Sequence, residues 1–137
     1  MNISTDPSPA SHVSNLLSII GQPVRVQILA VIAASPACVC HLEAVLGVRQ
    51  ASISQHLMVL RKAGVVSAHR EGRNIFYHLE QPAIFEILQQ AASLTLPQPD
   101  VLQALGNRPV EGCPCPQCNP GADPNLSCDH LPTRRKI

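Results

Sequence analysis

Residues 46–79 read LGVRQASISQHLMVLRKAGVVSAHREGRNIFYHL, and this stretch decides the fold. Its first half keeps a helical period from about Gln50 to Ala63: Ile53, Leu57 and Leu60 share one face, and Gly64 ends the segment. A shorter helix fits roughly Val39 to Leu46 and ends at Gly47, so only Gly47-Val48-Arg49 separates the two. Two short helices joined by a tight glycine-containing link describe a helix-turn-helix. The period then changes to two. Val66, Ala68 and Arg70 alternate with Ser67 and His69; Ile75, Tyr77 and Leu79 alternate with Phe76 and His78. Glu71-Gly72-Arg73 lies between these runs as the turn of a β-hairpin. A helix-turn-helix followed by a hairpin is a winged helix, so the expected class is mainly α with one β-hairpin.

Working outward, Val13, Leu16, Leu17 and Ile20 form one helical face that Gly21 stops. Pro23 suits a first helical position, and Val24, Ile28, Leu29, Val31 and Ile32 carry a buried helix to about Ala34, where Ser35-Pro36 breaks it. Downstream, Pro82 starts a last helix with Ile84, Phe85, Ile87, Leu88 and Ala91 as its apolar face, fading near Leu96. The expected organisation is a disordered arm over 1–11, a winged-helix domain over 12–96, and a flexible Pro/Cys-rich tail over 97–137. A core of that size is marginal alone. The first and last helices are more apolar than such a monomer can cover, which predicts a homodimer formed through them.

The chain of 137 residues carries a net charge of +1, and its 14% of charged residues lies well under the roughly 25% usual in soluble domains. Neutrality is an average. Between Ala44 and Glu80 five basic residues (Arg49, Arg61, Lys62, Arg70, Arg73) face two acidic ones (Glu71, Glu80), a local +3 that leaves the remainder net acidic. Such a patch attracts phosphate, so double-stranded DNA is the expected partner. Only Phe76, Tyr77 and Phe85 are aromatic, which argues against base-stacking platforms for single strands. Gln50, Ser52, Ser54, Gln55 and His56 open the second helix of the motif with small or amide side chains. Gln pairs with adenine, Ser serves either base, and Arg61, Arg70 and Arg73 supply charge on the helix and at the hairpin tip. The bland alternative is a solvated helix face, and His56 has one of its own, a hydrogen bond inside the motif. No apolar run is long enough to span a bilayer, Ile28 to Ala34 being the longest, and the N-terminus lacks a basic segment followed by an apolar one. The expectation is a cytoplasmic protein with no membrane partner.

Sulfur is unevenly placed: Cys38 and Cys40 in the first third, then Cys113, Cys115, Cys118 and Cys128 within sixteen residues. In a reducing compartment thiols serve metals, catalysis or redox sensing. Cys38-Val39-Cys40 opens the first helix of the motif. Side chains two apart on an ideal helix splay by about 200°. Both sulfurs grip one ion only if that turn is distorted, so binding would reshape the helix that positions the DNA reader. Soft thiolates select Cu(I), Zn(II), Cd(II), Pb(II) and trivalent arsenic or antimony. Cys113-Pro114-Cys115-Pro116-Gln117-Cys118 holds three more thiols in six residues, and its prolines keep it out of a helix. That segment binds an ion by itself or completes the Cys38/Cys40 pair, on its own or a partner subunit. Cys128-Asp129-His130 adds a further sulfur or an imidazole, although the spacing matches no standard zinc finger. The competing readings are a core-filling cysteine in the pair and incidental cysteines in the tail.

The 46–79 stretch, with GQPVRVQILAVIAASPACVCHL upstream at residues 21–42, resembles the ArsR/SmtB family of metal-responsive repressors. The resemblance covers roughly residues 13–96. It implies a homodimeric, operator-binding repressor released from DNA by a metal or metalloid, with a Cys-Val-Cys metal box. Two departures stand out. Arg49 replaces the usual Ser or Thr before the recognition helix, which costs about 1 kcal/mol if nothing substitutes as cap. The arsenic-type box often continues Cys-Val-Cys-Asp-Leu-Cys, whereas here Cys38-Val39-Cys40-His41-Leu42-Glu43 has Glu43 in place of the third thiol and His41 in place of Asp. His41 is expected to be exposed on the helix. The family's other metal position uses Asp/His pairs on the final helix, and Glu86, Gln89 and Gln90 give it no support here.

The expected ion ligands are Cys38, Cys40, Cys113, Cys115 and Cys118, with As(III)/Sb(III) favoured over Cd(II)/Pb(II) as inducer and no organic cofactor. Two alternatives stay open: a winged-helix repressor that senses thiol oxidation or persulfide, and a zinc-stabilised interaction protein. No Ser/His/Asp set, glycine-rich phosphate loop or paired carboxylates point to an enzyme.

Overall fold

The computed structural model describes residues 8–98, 100–107, 113 and 118. Helix α1 spans Pro9–Ile20 and so begins inside the expected arm. The cause is local: Ser8 accepts a hydrogen bond from the Ser11 amide at 3.1 Å, and Pro9 sits at the first helical position, where its missing N–H costs nothing. Helix α2 covers Pro23–Ala34 behind Gln22, whose side chain caps the Arg25 amide at 3.1 Å. Five consecutive α2 residues, Ile28 to Ile32, are buried, so this helix is covered all round and forms the centre of the core.

Helix α3 (Val39–Leu46) and helix α4 (Gln50–Lys62) fall where the periodicity places them. Gly47 between them has φ of 65° and donates its amide to Glu43 O at 2.9 Å, a left-handed cap that a side chain would strain. Arg49 stands at the start of α4 without a side-chain cap. Ile53, Leu57 and Leu60 turn inward and leave the opposite face of α4 to solvent. Strands β1 (Val66–Glu71) and β2 (Asn74–Leu79) pair antiparallel, from Val66 opposite Leu79 to Glu71 opposite Asn74. Ala37, in the α2–α3 link, exchanges backbone hydrogen bonds with Tyr77 at 3.2 and 2.8 Å, which ties the start of α3 to the wing.

Helix α5 (Ala83–Thr95) packs Ile84, Leu88 and Ala92 inward. A short helix α6 (Asp100–Ala104) follows, in a region expected to lack structure. Five residues are too few to show a period. What holds α6 is tertiary: Leu102 and Leu105 pack on the core, and a Cβ added to Gly106 would lie 2.5 Å from Ala34 Cβ. At Gly106 the chain therefore passes close against the end of α2.

Val13 and Leu17 on α1 are 58% and 48% exposed, and Leu94 on α5 is 86% exposed, so both terminal helices of the winged domain show uncovered apolar surface. No single helix among the described residues is long and apolar enough to cross a membrane. Helices α1 and α2 reach that length only together, and the chain bends by 83° between them.

Candidate functional site

Two features stand on the helix-turn-helix. The first is the outer surface of α4. Gln50, Ser54, Gln55 and Arg61 are exposed there, and Ser52 and His56 are half-buried. Arg70 near the end of β1 and Arg73 in the hairpin turn are both exposed, so the wing tip carries charge into solvent. Arg61 and Lys62 sit in the last turn of α4, where cations suit the negative end of the helix dipole. The amides and hydroxyls that open α4 are of the types that hydrogen-bond base edges, and a major groove admits an α-helix.

His56 is not a free point charge on that surface. Arg25 of α2 donates from Nε to His56 Nδ1 at 3.2 Å and from its terminal guanidinium nitrogen to Ile19 O at 3.1 Å. An Arg Nε–H only donates, so Nδ1 must accept and the neutral ring carries its proton on Nε2. Burial, and then the neighbouring Arg25 charge, lower the His56 pKa below its ordinary 6.5. The ring is therefore a neutral, oriented donor on α4. Arg25 was invisible to sequence reasoning, because nothing in a one-dimensional pattern links it to a residue 31 positions away.

The second feature is a sulfur cluster at the start of α3. Cys38 is the helix cap in extended conformation rather than part of the helix, and it is buried; Cys40 is half-buried. Cys113 is buried beside Cys38 and Phe76 of β2, with Cys40, Ala44 and Cys118 packed around them. His41, expected on the surface, is instead fully buried at 0% exposure. The correction has a tertiary cause. The eight-residue α3 packs on α4, and Cys113 and Cys118 lie against the His41 ring. Its Nδ1 lies 3.4 Å from Cys113 Sγ and 3.2 Å from Cys118 Sγ. Ligand atoms of His41, Cys113 and Cys118 all fall within 4.8 Å of one another, the one group of three donors found among the described residues. The structure thus brings two expected tail ligands to α3 and adds a histidine to them. Cys38 and Cys40 border this trio without belonging to it. Cys115 and Cys128 lie outside the described residues. One signal for His41 was available: Cys38 and His41 stand three apart, the spacing at which helical side chains become neighbours. Nitrogen and sulfur donors in a buried pocket suit a thiophilic ion, so the residues present fit such a group.

Mostly helical, with a recognition helix and a two-stranded wing carrying the exposed charge, this architecture is that of a winged-helix transcriptional regulator. A sequence profile described as "Bacterial regulatory protein, arsR family" matches residues 22–68. The biofilm growth-associated repressor of Agrobacterium fabrum is 36% identical over 80 residues, which is 58% of this chain and 68% of that protein. The chain belongs to the ArsR/SmtB family. Among solved structures, the transcriptional repressor BigR from Xylella fastidiosa superposes with a TM-score of 0.61 at 30% identity, covering 65% of this chain and 91% of that one. The AntR antimony-specific transcriptional repressor gives 0.57 at 25% identity, with 68% and 94% covered. Of other curated relatives the chain spans 63% of the SmtB homolog of Synechocystis and 58% of the SmtB repressor of Mycobacterium tuberculosis, less than two thirds of their length. These relatives are named as regulators of transcription, not as enzymes.

Proposed function

We propose that the protein represses transcription by binding an operator as a homodimer, and that it leaves the operator when the cluster at the start of α3 holds a thiophilic ion. One observation carries this reading: donors from the C-terminal segment converge on α3, the helix that leads into the recognition helix. Gln50, Ser52, Ser54 and Gln55 contact bases, His56 donates from Nε2, and Arg61, Arg70 and Arg73 meet phosphates. The exposed apolar residues of α1 and α5 are covered in the dimer.

Cys38, Cys40, Cys113, Cys118 and His41 supply the donors, and the ion contributes a cross-link among groups far apart in sequence. Cys115 completes the set proposed for the tail. Ala37 and Tyr77 hold the Cys38 link against β2, and Phe76 of β2 lines the cluster, so any shift of α3 is felt by both helix and wing. If the ion-bound form binds DNA less well, linkage requires that DNA weaken ion binding by the same factor. As(III) and Sb(III), for which three thiolates suffice, come before Cd(II) and Pb(II). The thiol count around α3 and the likeness to an antimony-specific repressor support that order.

Packing of Cys38 and Cys113 around one side chain, Phe76, also favours a second reading, in which the thiols answer peroxide or persulfide. Operator release measured against As(III), Sb(III), Cd(II), Pb(II) and Zn(II), and separately against oxidants, decides between them. Release by an ion under reducing conditions is expected; release by oxidants alone overturns the ion reading.

A further inference from the structure

We infer that His41, Cys113 and Cys118 form a mixed nitrogen–sulfur site, complete within one chain, for a divalent ion of the zinc class, Zn(II) or Cd(II). This rests on reading the cluster as the ion-responsive element, and adds a second ion class and a wiring to it.

The argument is geometric. Zinc–sulfur bonds near 2.3 Å and zinc–nitrogen bonds near 2.05 Å, set at a tetrahedral angle, place N and S about 3.6 Å apart. His41 Nδ1 already lies 3.4 and 3.2 Å from the two sulfurs, so small outward shifts reach the edges of such a tetrahedron. Both sulfurs approach the same ring nitrogen. A single nitrogen offers one proton or one lone pair, which serves two sulfurs poorly as a hydrogen-bond partner but well as one corner of a shared polyhedron. The donor set also discriminates. Borderline Zn(II) and Cd(II) accept imidazole beside thiolate, whereas a trivalent metalloid takes three sulfurs and leaves His41 out, drawing its third from Cys38 or Cys40. A divalent ion has its fourth corner available to one of those same two cysteines, which line the cluster.

Balance is simple: the two thiols each release a proton as they bind, and His41 enters neutral through Nδ1 with its proton on Nε2. The donors are separated by 72 and 77 residues, so a filled site clasps the C-terminal segment across the start of α3. Because all three come from one chain, each protomer holds its own ion and no ion bridges the dimer.

The test uses the full chain, reduced and ion-free, titrated with Cd(II) alone. X-ray absorption at the cadmium edge is expected to show nitrogen as well as sulfur in the first shell. Loss of a group that merely orients a metal ligand costs about 10–100-fold in affinity, so losing a ligand in His41→Gln should cost at least that. Cys118→Ser, at a half-buried position, should do the same if His41→Gln fails to fold. An equimolar mixture of His41→Gln chains with Cys113→Ser/Cys118→Ser chains should show no tight site, since neither chain holds all three donors. An all-sulfur shell, unchanged Cd(II) affinity in His41→Gln and Cys118→Ser, or recovery of about a quarter of the parent's tight sites in the mixture, as random pairing of bridging chains requires, overturns the proposal. Failure of every ion to release operator from a chain that still binds Cd(II) through His41 would sink the repressor reading while sustaining this site.

Discussion

The outer face of α4 and the cluster at the start of α3 lie on consecutive helices, yet they are built by opposite means. The first is assembled from thirteen neighbouring residues: Ile53, Leu57 and Leu60 bury one side, and the polar side follows from helical geometry alone. The second draws its donors from 72 and 77 residues away and is enclosed by packing. Helical periodicity is enough to expose a polar face, whereas a buried group of donors from distant positions has to be made by long-range folding.

Variants can break this separation or sharpen it. The largest effect is expected in the double variant Cys113→Ser/Cys118→Ser. Its ion-dependent loss of operator affinity, about 5–150-fold for couplings of this kind, should vanish, while ion-free operator binding stays as in the parent. Fluorescence anisotropy with and without ion measures both. Loss of ion-free binding would show that the two regions are one unit. Cys38→Ser and Cys40→Ser should lower the metalloid response and spare DNA binding in the same assay.

Next comes Gln50→Ala, expected to weaken specific binding by about 1–3 kcal/mol, with the ratio of ion-free to ion-bound affinity unchanged. Arg73→Ala should act more evenly across sequences and reduce the slope of log affinity against log salt by about 1. A salt titration on operator and on unrelated DNA distinguishes these two behaviours.

Arg25→Ala removes the residue that orients His56 and anchors it to the end of α1. A net loss of about 0.5–1.5 kcal/mol is expected for the hydrogen bond, read as weaker operator binding with unchanged ion affinity. The smallest effect is in pH. His56 titrates below 6.5 in the folded chain, so its stabilising contribution is fully present above 6.5 and is lost as pH falls through the folded value. Thermal melts between neutral and mildly acid pH should show a shallower decline in His56→Gln than in the parent.

Much of this was legible along the chain. Gly21, Gly47 and Gly64 punctuate helices that the structure confirms, and the switch from helical to alternating period at Val66 marks the wing. The start of α1 was misplaced because a serine cap and a proline at residues 8 and 9 outweighed the polar composition around them. Helix α6 was hidden because Leu102 and Leu105 gain from packing on α2, not from propensity. The cluster was half visible: Cys113 and Cys118 announced sulfur chemistry and a place beside Cys38 and Cys40 was one of two destinations open to them, but the meeting with His41 was not.

The sequence by itself determined the winged helix, the exposed polar face of α4 and the presence of two groups of sulfur. Those depend on short-range periodicity and residue chemistry, which a chain carries wherever it folds. Only the tertiary structure decided that His41 is buried, that it meets Cys113 and Cys118, and that Arg25 orients His56. Each depends on which distant segments the core brings together, and burial alone turns a histidine drawn on the outside of a helix into the centre of a site.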